Sequence, residues 1–328
     1  MAGRISRIRQ IGWIVGVLFP LIAGVSAHGA QTSEKVRLAI PAKSMGYLPM
    51  YVAIHRGFMR DEGLELEIPN LRPNIAHSAL LGGEIEYHGL AESGLRLAAK
   101  GSPMKSLFFS LRSPLYFLMA KPQIKTLQDL KGKIIGISSF GGATEVSTRI
   151  GLRHHGLDPD RDVTMILIGT ENVRVAALSS GSIDATIAVP PSHVILRQKG
   201  FNLLLSLADV TDLPANGFTT LDRTLRDKRE QVKRLLRGLS RGLAFAKERP
   251  KETIEIMARE WEIERAVAEE VYGPVSRALS KDGLASDAGL KEHFQIIQRL
   301  DKGIGEIPIP KVVDFQPLNE ARRELGLR

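Results

Sequence analysis

The chain has 328 residues, 43% of them hydrophobic and 25% charged, with a formal net charge of +9 and no cysteine. The absence of Cys excludes disulfides, thiolate metal sites and cysteine nucleophiles. The length is ample for a buried core and suggests two lobes rather than one.

Residues 1–30 read as an export signal. Arg4, Arg7 and Arg9 form a positive n-region, and Ile11 to Val25 is an apolar h-region containing Trp13, Phe19 and Pro20. Val25-Ser26-Ala27 is a small-residue cleavage pattern, with Ala30 a second place for the cut. The apolar run is shorter than the roughly 20 residues that span a bilayer. There is no twin-arginine pair, and no Cys follows the h-region to carry a lipid, so the expected product is a soluble periplasmic protein. Removing the three leader arginines from +9 leaves +6. Exported proteins seldom meet nucleic acid, which is therefore not an expected partner. The basic residues are spread out except between Arg223 and Arg249. That segment reads as a helix with Val232, Leu235, Leu236, Leu239, Leu243 and Ala246 on one face and its cations on a solvated outer face.

After the leader, Lys35 to Ile40 alternates like a strand, the loop Pro41 to Gly46 follows, and Tyr47 to Arg60 has helical spacing. Leu64 to Ile68 is a second strand, and Pro73-Asn74 opens a helix through Leu81. Ile85 to Leu90 is a third strand, and Ala91-Glu92-Ser93 opens a helix to Lys100. Leu107 to Leu111 and Leu115 to Met119 are further strand candidates. Such alternation marks an α/β protein. Gly132 to Thr144 (GKIIGISSFGGAT) then joins a β-branched strand, a Gly/Ser loop and a helix start, an arrangement that can hold a small polar or anionic group. Many βα turns of this kind bind nothing.

The pattern repeats. Ala79-Leu80, Gly83, Ile85 and Glu86 match Ala177-Leu178, Gly181, Ile183 and Asp184 at an offset of 98 residues, and the same offset carries Lys35-Val36 onto Lys133-Ile134. Two similar α/β lobes in tandem are expected. The carboxyl ends of their strands would gather six loops: Ala42 to Gly46, Arg72 to Asn74, Ala91 to Ser93, Ser139 to Thr144, Thr170 to Asn172 and Val189 to Ser192. If the lobes face each other these loops line one cleft, rich in hydroxyls, amides and helix N-termini, suited to a small ligand and hinged closure.

Gly46 to Glu67 (GYLPMYVAIHRGFMRDEGLELE) resembles the opening of the nitrate/sulfonate/taurine-type substrate-binding proteins of ABC importers, which share a fold with the NMT1/THI5-like family. Thr126 to Ile137 (TLQDLKGKIIGI) is similar to that family's entry to the second lobe, and Arg174 to Ala185 (RVAALSSGSIDA) to its counterpart there. The resemblance implies a type II periplasmic binding fold, each lobe a mixed sheet flanked by helices with the ligand cleft between them. Residues 31–112 with 216–328 would form lobe 1, and 113–215 lobe 2. It implies a monomer without cofactor or catalysis, whose partners are a small-molecule ligand and an inner-membrane ABC permease with its ATPase. Carried over through the loops, the ligand-binding positions are Ser44, Met45, Asn74, Glu92, Ser93, Ser139, Phe140, Gly142, Thr144, Glu171 and Pro190. One departure stands out. Glu92 and Glu171 lie in expected cleft loops, where carboxylates repel an anion. Either they point outward, or the ligand is neutral or carries an amine; for Glu171, the helix dipole alone is a sufficient reason to be there.

Two rival classes remain: an enzyme of the pyrimidine-synthase type, and a sensor presenting a ligand to a membrane receptor. The synthases that share this fold use a Cys-rich motif and a reactive His, and the Cys are missing here. The histidines show no metal-ligand spacing, and His154-His155 read as ordinary core or surface residues. Asp158, Asp160 and Asp162 lack the Gly and distal Glu of a calcium loop, and no G-x-S-x-G elbow occurs. The tail reads as helices Asp222–Lys247, Pro250–Glu260, Ile263–Tyr272 and Ala288–Leu300 packed back on lobe 1, with a short closing helix Pro317 to Leu325. Trp261 and Tyr272 read as packing residues.

Overall fold

The computed structural model describes residues 33–140 and 142–327; the export signal read from residues 1–30 lies outside the described residues. Two five-stranded mixed sheets organise the chain. The first holds β1 (Glu34–Ala39), β2 (Leu64–Glu67), β3 (Tyr87–His88), β4 (Met104–Leu111) and β10 (Ala215–Leu221) in the order β2-β1-β3-β10-β4. The second holds β5 (Phe117–Ala120), β6 (Lys133–Ile137), β7 (Val163–Leu167), β8 (Ala185–Ala188) and β9 (Asn202–Ser206) in the order β7-β6-β8-β5-β9. In each, three parallel strands are joined by an antiparallel fourth that has just crossed from the other sheet: β5 follows β4, and β10 follows β9. Residues 112–116 and 207–214 are the two crossovers.

The helices are α1 (Leu48–His55), α2 (Phe58–Asp61), α3 (Pro73–Gly82), α4 (Ala91–Ala99), α5 (Ala143–His154), α6 (Glu171–Ser180) and α7 (Ser192–Gln198), followed by the tail. The tail comprises α8 (Asp222–Asp227), α9 (Arg229–Glu248), α10 (Pro250–Glu260), α11 (Arg265–Ala278), α12 (Asp287–Leu300), α13 (Ile309–Val312) and α14 (Gln316–Glu324).

The 98-residue repeat has a structural counterpart. Gly83 and Gly181 both end their helices with φ of 82°, a left-handed turn that favours glycine. The acid that follows each does the same work: Glu86 Oε2 accepts the Arg37 N–H at 2.9 Å, and Asp184 Oδ2 accepts the Ile134 N–H at 2.9 Å. Each carboxylate thus pins the leading strand of its sheet.

Several elements differ from expectation for identifiable reasons. The helix expected over Tyr47 to Arg60 breaks at Gly57, whose φ is 74°. The helix expected over Asp222–Lys247 divides at Lys228 into α8 and α9. The cations of α9 are not merely solvated: Arg234 binds Glu34, Arg237 binds Glu62 at 2.7 Å and Glu324 at 2.6 Å, and Arg241 binds Asp61 at 2.7 Å. The helix expected over Ile263–Tyr272 starts at Arg265 and runs on through Gly273-Pro274 to Ala278. Val271 and Val275, one turn apart, are both fully buried, and that burial offsets the cost of about 3 kcal/mol for an interior proline. The same face of α11 shares one core with Val194 and Leu196 of α7. The tail therefore packs on helices of both sheets, not only on the first.

Candidate functional site

The β1–α1 loop turns at Ser44, whose Oγ accepts the Gly46 N–H at 3.2 Å. Met45 is buried beneath it. Tyr47 is buried too; its hydroxyl donates to the Gly89 carbonyl, and burial drives its pKa far up, with the Asn216 side chain opposing. Asn216 lies against Gly46: a Cβ there would fall 2.6 Å from Asn216 Nδ2 and closer still to two other atoms of that amide. Asn216 itself is left-handed, with φ of 50°. In that conformation its backbone N–H donates to Glu92 Oε1 at 2.9 Å.

Glu92 is the second residue of α4, where the helix dipole favours an anion. Burial pushes its carboxyl above the usual range, opposed by the N–H groups of Asn216 and of Glu92 itself. Ser93 is committed: its hydroxyl donates to the Leu90 carbonyl at 3.1 Å and lies 3.1 Å from His77 Nε2. Asn74 is exposed at the start of α3.

Across from these, Thr144 Oγ1 accepts the Ser138 N–H at 2.9 Å and folds the β6–α5 loop onto its helix start. Gly142 has no side chain where the Ser139 hydroxyl packs, and Phe140 projects with 62% of its surface exposed. Glu171 begins α6, and its Oε1 accepts the Val189 N–H at 2.8 Å, tying that helix start to the β8–α7 loop. The Pro190–Pro191 peptide in this loop is cis. Beneath it Arg174 is buried and fully engaged: it donates to Thr186 Oγ1 at 3.1 Å and to the carbonyls of Gly169 and Ile187 at 2.5 and 3.3 Å. Burial pulls its pKa below the usual range, and Glu171 opposes that.

Tyr116, on the first crossover, links the two sides. Burial, Glu92 and Glu171 together push its phenol up to about 12, with Arg174 opposing. Both carboxylates are therefore within electrostatic reach of one hydroxyl, which has no hydrogen-bond partner among the described residues. Burial drops the pKa of His293 of α12 to about 4, with the Glu92 backbone opposing, so it is neutral at physiological pH. On the flank, α5 and α12 face each other across a groove of about 310 Å³ floored by Val146, Ile150 and Ile296.

Of the residues expected from the sequence, Glu92 and Glu171 both act electrostatically on Tyr116, while Asn74 is exposed in the first turn of α3 and Phe140 on the β6–α5 loop. Met45 packs inside, and Ser44, Ser93 and Thr144 shape their loops. Tyr47, Tyr116, Arg174, Asn216 and His293 were missed. Only Asn216 carried a local signal, the turn-forming dipeptide Asn216-Gly217.

Comparison with known proteins places this arrangement in context. The family model described as NMT1/THI5 like matches residues 44–253. Among curated proteins, the chain is 25% identical to a protein named for binding, YtlA of Bacillus subtilis, over 58% of this chain and 59% of that one. It is 26% identical to the riboflavin-binding protein RibY of Chloroflexus aurantiacus, over 71% of this chain and 68% of the relative. The chain thus spans little more than half of the first relative's length. Among solved structures, the periplasmic aliphatic sulphonate binding protein SsuA of Escherichia coli aligns with a TM-score of 0.68 at 18% identity, covering 85% of this chain and 97% of that one. The desulfurization enzyme DSZB aligns with a TM-score of 0.68 at 15% identity, covering 88% and 99%. The fold therefore serves binding proteins and enzymes alike.

Proposed function

The chain belongs to the NMT1/THI5-like family, and from that premise we propose that it is a periplasmic solute-binding protein. In this reading residues 31–112 with 216–328 make up one lobe and 113–215 the other. A small organic solute is captured between them and delivered to an inner-membrane ABC permease with its ATPase. The observation that carries this reading is the sheet topology: the chain passes twice between two mixed sheets, at residues 112–116 and 207–214. Both crossovers run between the lobes, and a hinge there moves each as a body.

A catalytic reading has one observation in its favour, the 3.1 Å approach of Ser93 to His77. Against it, the Ser93 hydroxyl already donates to the Leu90 carbonyl.

The test is a thermal-shift screen of residues 31–328 against sulfonates, nitrate, taurine, aminopyrimidines and small aromatic acids. A solute binding the folded state at a hundredfold excess over its Kd adds about 2.7 kcal/mol of stability. A hit abolished by Ser139→Trp supports the binding protein. Turnover of a panel member without stabilisation by any would favour the enzyme.

A further inference from the structure

We propose that the groove between α5 and α12 is a second binding site, separate from the cleft, whose ligand is a small amphipathic anion: an aromatic or short aliphatic carboxylate. It encloses about 310 Å³, at the small end of the range for ligand pockets. Packing sets its position. Leu152 of α5 belongs to the core of the second sheet, with Ile135 and Ile187. Leu290, Phe294 and Ile297 of α12 belong to a core on the first sheet, with Met104 and Phe109. The two helices thus meet at the groove from different sheets. Val146, Arg149, Ile150 and Arg153 share one face of α5, and Ile296 and Arg299 lie one turn apart on α12. None of the cleft positions expected from the sequence lines it. Ile150 is roughly 12 Å along α5 from Gly142, at the helix rise per residue.

The ligand class follows from which charges are already paired. Arg149 donates to Glu145 Oε1 at 2.7 Å and to Asp160 Oδ1 at 2.6 Å, so one guanidinium serves both acids of the groove. Arg153 reaches Asp160 only at 3.8 Å, beyond hydrogen-bond distance, and its side chain is exposed. Arg299 spends its Nε–H on the Gln295 carbonyl of its own helix at 3.2 Å; its terminal nitrogens have no partner among the described residues. One available guanidinium on each helix therefore borders a partly exposed floor of Val146, Ile150 and Ile296. A carboxylate matches the planar fork of a guanidinium, and an apolar body covers the floor. A cation would meet three arginines, and a neutral apolar molecule would leave both guanidinium groups without a new partner.

The test is calorimetry on residues 31–328 at neutral pH with naphthoate and with uncharged naphthamide, which has the same two-ring body. Naphthoate is expected to bind about fivefold more tightly, through charge-assisted bonds that the amide lacks. Arg153→Gln and Arg299→Gln should each weaken naphthoate about threefold and leave naphthamide unchanged. Ile296→Trp, which fills the groove from α12, should abolish binding of both probes. In Ser139→Trp, which obstructs the cleft, naphthoate should stay bound. That variant separates the groove from the solute cleft, so this inference fails or survives independently of the solute-binding reading. Naphthoate binding that disappears in Ser139→Trp and is unmoved by either arginine variant overturns the proposal. Equal affinity for the two probes overturns it too, as does the absence of any heat of binding at millimolar naphthoate. If Ile296→Trp does not fold, the two arginine variants, whose native side chains are exposed, decide the matter.

Discussion

Adding one methyl group at Gly46 should damage the candidate site through Asn216. The new Cβ would lie 2.6 Å from Asn216 Nδ2 and closer still to its Cγ and Oδ1, where ordinary contact begins near 3.4 Å, so the amide must retreat by more than 1 Å. It has little freedom to do so, because its backbone N–H is held by Glu92 Oε1. Overpacking of this kind costs about 1–3 kcal/mol, and a displaced hydrogen bond adds about 1. With roughly 2–4 °C lost per kcal/mol in a protein of this size, Gly46→Ala should lower Tm by about 4–16 °C. Asn216→Gly creates the needed room at a left-handed position that glycine accepts. The double variant should therefore recover at least half of the loss. Differential scanning calorimetry on the four proteins of this cycle measures the coupling. A Gly46→Ala variant as stable as wild type would refute the reasoning. So would a double variant whose losses simply add.

Three further outcomes follow from the same contacts. Arg174→Met leaves the Gly169 and Ile187 carbonyls short of a donor and should cost about 3 kcal/mol by urea denaturation; since Gly169 precedes α6, solute affinity should fall as well. Thr144→Val keeps the shape but loses the bond to the Ser138 N–H; about 1–2 kcal/mol should be lost, while Thr144→Ser retains most of it. Burial lowers the pKa of His88 to about 3 and of His193 to about 4, so the unfolded chain binds their protons first. Their stability contribution is complete above pH 6.5 and declines as pH falls toward those values, by about 2–3 kcal/mol each at pH 4.5. His193→Phe, which keeps the stack on Phe117, should shift the acid-unfolding midpoint downward and leave stability at pH 7.5 nearly unchanged.

What the sequence disclosed was local. Strand β6 coincides with the β-branched run Lys133 to Ile137, and the 98-residue repeat pointed to equivalent helix ends at Gly83 and Gly181. The third strand was overextended: of Ile85 to Leu90 only Tyr87–His88 pairs, because Glu86 has turned its carboxylate to the Arg37 N–H. The candidate site was half legible. Glu92 and Glu171 sit at helix starts that periodicity can find. Tyr116, Asn216 and His293 reach the same space from a crossover, a strand start and a tail helix. They are separated by up to 177 residues, so no local pattern relates them. Arg174 was visible only as part of a motif; its burial among carbonyls follows from tertiary packing.

The central claim is that two lobes close around a solute, and the cysteine-free chain allows a direct test. Ser78 of α3 and Ala176 of α6 are exposed, are related by the 98-residue offset, and sit on helices packed against different sheets. The double variant Ser78→Cys/Ala176→Cys can be spin-labelled at those two positions alone. Pulsed electron–electron resonance then reports their separation with and without the strongest stabilising solute of the screen. The account predicts a distance distribution that narrows and moves when the solute is added, and does neither when Ser139→Trp is present. An unchanged distribution at saturating solute would contradict it.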